Sequence, residues 1–444
     1  MKLTFLLIIL SVIDIHKICA YPNYNQLTTI NLVKRVDVET DGTNAIDIAN
    51  RMRQSAKNKY SNYKNLNTTS KATTSNISGV ASSKNGTSSN LTTTSNRPNK
   101  HTFDNYYSNY MGGQSTMFIK DISQDESYYA KIIVGNQELS CLLDTGSSNL
   151  WIPNKDCTSA ACQNHNRFDS SKSPTFKSEG NQWSITYGTG STSGVTGIDN
   201  VRIGSFTAKK QIIGLSNIVS NDFTDLESDG ICGLAFDILN TMDNGAPTLI
   251  STLINQKKIN PIFSFHFQHY YDFDDQGTFT LGGVDKSKLK GKITFNSVIP
   301  TPILNAIAFW LINLDDASVD GKPLSFSGKS AIIDTGTSIM IIPPNDAKAI
   351  HDKIPDSEFD SQSELYIIPC DTTAIVSLKF GGVDYKIPAR DLILSPISGT
   401  QCLSSIIPGE FFGPNLWIVG QTFIKNVYSV FDVKNQKVGF AHSK

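Results

Sequence analysis

Two stretches hold the residues whose types and spacing could do chemistry: Leu142-Leu143-Asp144-Thr145-Gly146-Ser147-Ser148 and Ile332-Ile333-Asp334-Thr335-Gly336-Thr337-Ser338. In each, a pair of branched apolar residues runs into Asp-Thr-Gly and two hydroxyls. At ordinary residue usage one such tripeptide arises by chance in roughly one chain in ten of this length, but two with matching flanks do not. The chemistry of paired carboxylates is general acid–base hydrolysis. About a hydrogen bond apart, they cannot both ionise easily, so the pair shares one proton and offers a base and an acid at the same pH. Such a pair can activate water against an amide without a metal, a serine or a cysteine.

The elements that must position these groups follow from the flanks. Each apolar pair reads as a buried strand that delivers its Asp to a tight turn, where Gly146 or Gly336, lacking a Cβ, lets backbone N–H groups approach the carboxylate. The hydroxyls of Ser147 and Thr337 can donate to the same carboxylates and favour the charged form. The copies lie almost half the chain apart, which implies two similar lobes about a pseudo-twofold axis with the carboxylates face to face.

Asp144-Thr-Gly-Ser-Ser-Asn-Leu-Trp151, Asp334-Thr-Gly-Thr-Ser and Tyr187-Gly-Thr-Gly-Ser191 together resemble the pepsin-like aspartic proteases, and the resemblance extends over roughly residues 115–444. It implies a mainly β, two-lobed fold with the catalytic cleft between the lobes, and Asp144 and Asp334 as the catalytic pair. Thr145 and Thr335 would lock the two loops together, with Ser147 and Thr337 on the carboxylates. Tyr187, Gly188 and Thr189 look like the flap that closes over bound peptide, with Tyr187 hydrogen-bonding Trp151. Asp229-Gly230-Ile231-Cys232-Gly233-Leu234 and Leu416-Trp417-Ile418-Val419-Gly420 resemble the family's strands beside the catalytic loops. Leu281-Gly282-Gly283-Val284 looks like the end of the first lobe, giving lobes at 114–285 and 286–444. A binding protein that keeps this fold without turnover is the rival reading. Such relatives usually lack an Asp, the Gly after it or the flap Tyr, and this chain has them all.

At 444 residues the chain suits about two to three domains. Its net charge of −1 hides an asymmetry. Residues 1–100 hold 13 Lys and Arg against 5 Asp and Glu, leaving 26 against 35, a balance of −9, for residues 101–444. An acidic body argues against nucleic acid as a partner.

Lys2, the apolar run Leu3 to Ile13 and the small-residue exit at Ile18-Cys19-Ala20 read as a signal peptide over residues 1–20. The run is well short of the ~20 residues a membrane span needs, so a secreted protein without a membrane anchor is expected, or a vacuolar one using the same signal. Six cysteines remain beyond the signal. By resemblance, Cys157–Cys162 and Cys370–Cys402 are disulfides. Cys141 and Cys232 sit in apolar surroundings, and the sequence leaves their pairing open. No zinc-ribbon or His-Glu-x-x-His spacing is present, and neither metal nor cofactor is expected.

Residues 21–60 mix apolar and basic residues, with helical spacing from Ala45 to Lys59 that sets Ile46, Ile48, Met52 and Ala56 loosely on one side. The segment resembles the family's pro-segment, in which a Lys-Tyr pair, here Lys59-Tyr60, puts its ammonium between the catalytic carboxylates. Residues 61–113 form a Ser, Thr and Asn-rich tether. Its four acceptor sequons, at Asn67, Asn76, Asn85 and Asn90, mark it as glycosylated and unable to bury a core. The maturation cut falls there or as far on as about Phe118; cleavage after Lys34-Arg35, leaving a glycosylated arm, is the competing possibility. The expected partners are polypeptide substrates and the chain's own pro-segment, on a monomer. Beyond Gln114, alternating runs predict strands at Tyr128–Val134, Leu139–Leu143, Trp183–Tyr187, Val201–Ile203 and Phe206–Ile213, with helices at Pro247–Gln256 and Pro344–Lys353.

Overall fold

The computed structural model describes residues 42–64 and 112–444 except 123–124, 126, 188–189, 225, 243–244, 273–274 and 303. The signal peptide, residues 21–41, the four sequons and the flap residues Gly188 and Thr189 lie outside the described residues.

The fold is mainly β. An eight-stranded sheet uses strands from Lys120–Ile122 to Gly230–Gly233, and a five-stranded sheet uses strands from Leu311–Leu314 to Leu416–Val419. A six-stranded sheet draws on both halves of the chain: Ile262–His266 pairs antiparallel with Val427–Asp432, with Phe263 opposite Phe431. Stacking of those two rings at 4.9 Å, with Trp310 edge-on to Phe431 at 5.1 Å, makes this sheet part of the main core. The expected boundary near residue 285 falls between its strands Thr278–Leu281 and Leu289–Ser297.

Each Asp is delivered by the same three-strand arrangement. In the first, Gln137–Asp144 runs parallel to Gly230–Gly233, with Leu143 opposite Cys232, and Leu150–Pro153 returns antiparallel on the far side of Gly230–Gly233. In the second, Lys329–Ile333 runs parallel to Leu416–Val419, with Ile332 opposite Ile418, and Met340–Ile342 returns antiparallel. Leu150–Pro153 and Leu416–Val419 are buried at every position rather than alternately, because both faces of these strands are covered. That is why their sequences read as unbroken apolar runs.

Some elements differ from the sequence reading. The three-residue strand expected at Val201–Ile203 is the end of a longer one, Ser191–Ile203. Its first part, Ser-Thr-Ser-Gly, has no apolar alternation, and pairing on both sides with Lys177–Thr186 and Phe206–Val219 extends it. The helix expected to begin at Pro247 runs Leu249–Asn255, since Thr248 caps it by accepting from Ser251 N at 3.2 Å. Pro344–His351 does start on its proline. The N-terminal helix spans Gly42–Lys64, and its buried stripe is Ala45, Ala49, Ala56, Lys59 and Tyr60. Ile46 and Ile48 are only half-buried. They are two residues apart and cannot share a face, whereas spacings of four and seven can.

Among the described residues, no helix is long and apolar enough to cross a membrane. Cys157 is bonded to Cys162 and Cys370 to Cys402. Cys141 and Cys232 are free and buried on neighbouring parallel strands, and burial pushes the Cys232 thiol up to about 12.

Candidate functional site

Asp144 is the last residue of its strand and Asp334 the first after its own; both are buried and held by matching contacts. Gly146 N donates to Asp144 Oδ1 at 2.8 Å and Gly336 N to Asp334 Oδ1 at 3.0 Å. Ser147 Oγ donates to Asp144 Oδ2, and Thr337 Oγ1 to Asp334 Oδ2 at 2.6 Å. The glycines have a further reason to lack a Cβ. One at Gly146 would meet the Asp334 carboxylate at 2.4 Å, and one at Gly336 would meet that of Asp144 at 2.3 Å. Each turn therefore makes room for the other turn's acid, a requirement that neither motif reveals alone.

The threonines cross between the loops. Thr145 Oγ1 donates to the Ile333 carbonyl at 2.8 Å and accepts from Thr335 N at 2.9 Å, while Thr335 Oγ1 donates to the Leu143 carbonyl at 2.6 Å and accepts from Thr145 N at 3.0 Å. All four groups are buried, so losing one hydroxyl strands two backbone groups. Thr335→Ala is expected to destabilise the protein by about 2–3 kcal/mol, and Thr335→Ser to recover most of that. Urea denaturation of the precursor at neutral pH measures it, and an unchanged midpoint for Thr335→Ala would contradict the interlock.

Lys59 lies between the carboxylates. Its Nζ is 2.9 Å from Asp144 Oδ1 and 2.9 and 3.2 Å from Asp334 Oδ2 and Oδ1, and Tyr60 OH donates to Asp334 Oδ2 at 2.6 Å. Burial works to lower the pKa of the Lys59 ammonium, but the pull of both carboxylates outweighs it and holds the group above its ordinary value. Burial also works to raise both acids. At Asp334 the ammonium and the hydrogen bonds from Asp144, Thr337 and Tyr60 win, and its carboxyl falls to about 2. At Asp144 burial and the neighbouring Asp334 charge win over Lys59, and the carboxyl is raised. With Lys59 and Tyr60 in place, the two carboxyls are thus pushed in opposite directions, Asp144 up and Asp334 down.

The Tyr60 ring lies 5.3 Å from Phe309 and 5.5 Å from Phe412, centroid to centroid, in an apolar cluster with Leu365 and Ile418. Across the site, Trp151 Nε1 donates to Tyr187 OH at 2.8 Å, and Phe223 packs edge-on to both rings. Tyr187 N donates to the Gly190 carbonyl at 2.7 Å.

Sequence reasoning missed several residues that hold this arrangement. Gln421 Nε2 donates to the Thr335 carbonyl at 2.8 Å, and Trp310 Nε1 to the Leu234 carbonyl at 2.9 Å, tying the second half of the chain to the strand beside Asp144. Phe309 and Phe412 were equally invisible. A buried Gln directly after an apolar-apolar-Gly strand was the one available signal. A second group of acids, Asp125 and Asp391, lies near His269, but Lys425 Nζ is 3.1 Å from both carboxylates and fills the place a cation would take.

Residues 127–443 match the family model for "Eukaryotic aspartyl protease". The chain is 36% identical over 321 residues to "Aspartic-type endopeptidase ctsD" of Aspergillus fumigatus, covering 72% of this chain and 66% of that protein. It is 36% identical over 334 residues to "Probable aspartic-type endopeptidase CTSD" of Arthroderma benhamiae, covering 74% and 64%. The chain therefore spans slightly less than two thirds of the length of these two fungal relatives. Similarity to "Pepsin A" of Rhinolophus ferrumequinum is 33% over 330 residues, 71% of this chain and 81% of that protein. The family match takes in both Asp-Thr-Gly loops, their companion strands and most of the sheet shared between the halves, so the chain belongs to the eukaryotic aspartyl proteases, the pepsin family.

Proposed function

We propose that the chain is an aspartic endopeptidase, acting at acid pH, made as a precursor in which Lys59 and Tyr60 occupy the site. The observation that carries this reading is the matched pair of buried carboxylates with a lysine ammonium between them. In the mature enzyme, a water held between Asp144 and Asp334 loses a proton to the ionised member as it attacks the scissile carbonyl. The protonated member donates to the carbonyl oxygen, and a returned proton lets the amine leave. Residues 114–285 and 286–444 act as the two lobes, with Tyr187, Gly188 and Thr189 as the flap over extended peptide. The enzyme works as a secreted or vacuolar monomer on polypeptides. Digestion of a generic protein at pH 3–4, with and without pepstatin, tests the reading, and no pepstatin-sensitive cleavage after acid activation would overturn it.

Specificity follows from the pocket that Tyr60 fills beside Asp334. Walls of Phe309 and Phe412 suit a large apolar or aromatic side chain next to the cut. In relatives that accept lysine just before the cut, the flap carries an acid at the position of Thr189, which supplies no charge. Peptide-library profiling is expected to find large apolar residues on both sides of the scissile bond. Lysine as the dominant residue before it would refute this.

A further inference from the structure

The N-terminal helix has a second polar anchor, well away from the Asp pair. Arg53, six residues before Lys59, donates Nη1 to the Glu364 carbonyl at 3.3 Å and Nη2 to the Ser363 carbonyl at 3.2 Å, and its Nη1 is also 3.3 Å from Glu364 Oε2. Asn50 Oδ1 accepts from Nη2 at 2.9 Å and braces the guanidinium. The acceptors belong to the turn at residues 361–364 that joins Glu358–Asp360 to Leu365–Pro369. Asp360 ties that turn, accepting from Ser363 Oγ at 2.6 Å, Gln362 N at 3.0 Å and Ser363 N at 3.2 Å. The Ser363 hydroxyl and these backbone donors hold the Asp360 carboxyl below its ordinary value, so the tie persists into acid. Helix and turn together line an open groove of about 710 Å³, with Asp47, Asn50, Arg53 and Gln54 on the helix side and residues 361–364 on the other.

We propose that in the mature enzyme this turn is a subsite for a basic side chain of the substrate, arginine before lysine. The inference rests on the reading of the helix as a removable pro-segment. Once the helix leaves, the Ser363 and Glu364 carbonyls and the Glu364 carboxylate lose the Arg53 guanidinium and are open to another cation. Leu365, the next residue, belongs to the apolar cluster that includes Tyr60, Phe309 and Phe412, so the turn borders the wall along which peptide would lie. At ~1.5 Å rise per helical residue, Arg53 lies about 9 Å along the axis from Lys59. An extended peptide at ~3.3 Å per residue covers that in about three residues. Two carbonyls and a carboxylate match the planar fork of arginine better than the point charge of lysine. The carbonyls do not titrate, so recognition survives at the acid pH where the Asp pair works.

The test uses enzyme matured by acid from the full chain and a series of quenched peptides with an apolar pair at the cut. A single arginine is moved through positions two to five residues away on either side, each compared with alanine. One position, about three residues from the cut, is expected to gain roughly 10-fold in kcat/KM, mainly through KM. Glu364→Lys should abolish the gain and Glu364→Gln keep part of it, both at an exposed side chain whose replacement leaves the fold intact. If arginine changes nothing at any position while the alanine peptides are cleaved, or the gain survives in Glu364→Lys, the subsite is overturned and the endopeptidase reading stands. If no alanine peptide is cleaved, the endopeptidase reading falls and the subsite with it.

Discussion

Asp144→Asn and Asp334→Asn are each expected to lower acid proteolysis by at least about 10³-fold, with the fold retained. Asn keeps the shape of Asp, so Gly146 N or Gly336 N can still donate to its carbonyl oxygen, while its Nδ2 donates to the Ser147 or Thr337 hydroxyl, which turns from donor to acceptor. What is lost is the proton that the pair shares. With one member unable to titrate, no pH provides a base and an acid together. Wild-type rate should instead peak at roughly pH 2.5–5 and fall on both sides, as the pair gains its second proton or loses its only one. Assay of acid-matured protein, with denaturation midpoints as the control, decides the matter. Full turnover by either folded variant would remove the Asp pair from the chemistry.

What could be read from the sequence was what repeats or alternates. Each Asp announced itself by the buried apolar pair before it, Leu142-Leu143 or Ile332-Ile333, and the two turns announced each other by matching. Cross-chain partners left no such trace. Arg53 meets a turn 310 residues away in sequence, and nothing around either end marks the other. Phe309 and Phe412 read as ordinary core residues, and only the structure shows that both rings pack on Tyr60. The helix was legible as a helix, but its buried face was set by small alanines that fit the wall, not by Ile46 and Ile48, which hydropathy favours. Similarly, Thr248 displaced Pro247 from the helix start because a side-chain acceptor for Ser251 N outranks a proline that merely tolerates the position.

The precursor is expected to be latent at neutral pH, to open as the pH falls from about 4 towards about 2, and to open more easily once Lys59 is replaced. The sign follows from the shifts. Asp334 is depressed to about 2, so the stability it lends is fully present above the ordinary carboxylate range and is lost as pH falls through its folded value. Lys59 is raised, so its contribution persists through neutral pH and is lost only in strong alkali. Asp144, raised mainly by burial, works against this, since taking up its proton favours the closed form, so the opening is set by Asp334. Charge over longer range acts in the same direction as Asp334, since residues 21–100 hold 11 Lys and Arg against 4 Asp and Glu while residues 101–444 carry −9. Removing the ammonium leaves two buried acids facing each other without a counter-ion, a change worth about 3 kcal/mol or more, or some two orders of magnitude in the closed-to-open ratio. Lys59→Ala precursor should therefore mature at higher pH and faster at any given pH, whereas Arg53→Ala, which releases only the distant turn, should shift maturation less. Following mass and activity of the purified precursors during stepwise acidification distinguishes the cases. Wild-type precursor fully active before any cleavage, or a Lys59→Ala protein no easier to activate, would show that the ammonium is not what holds the site closed.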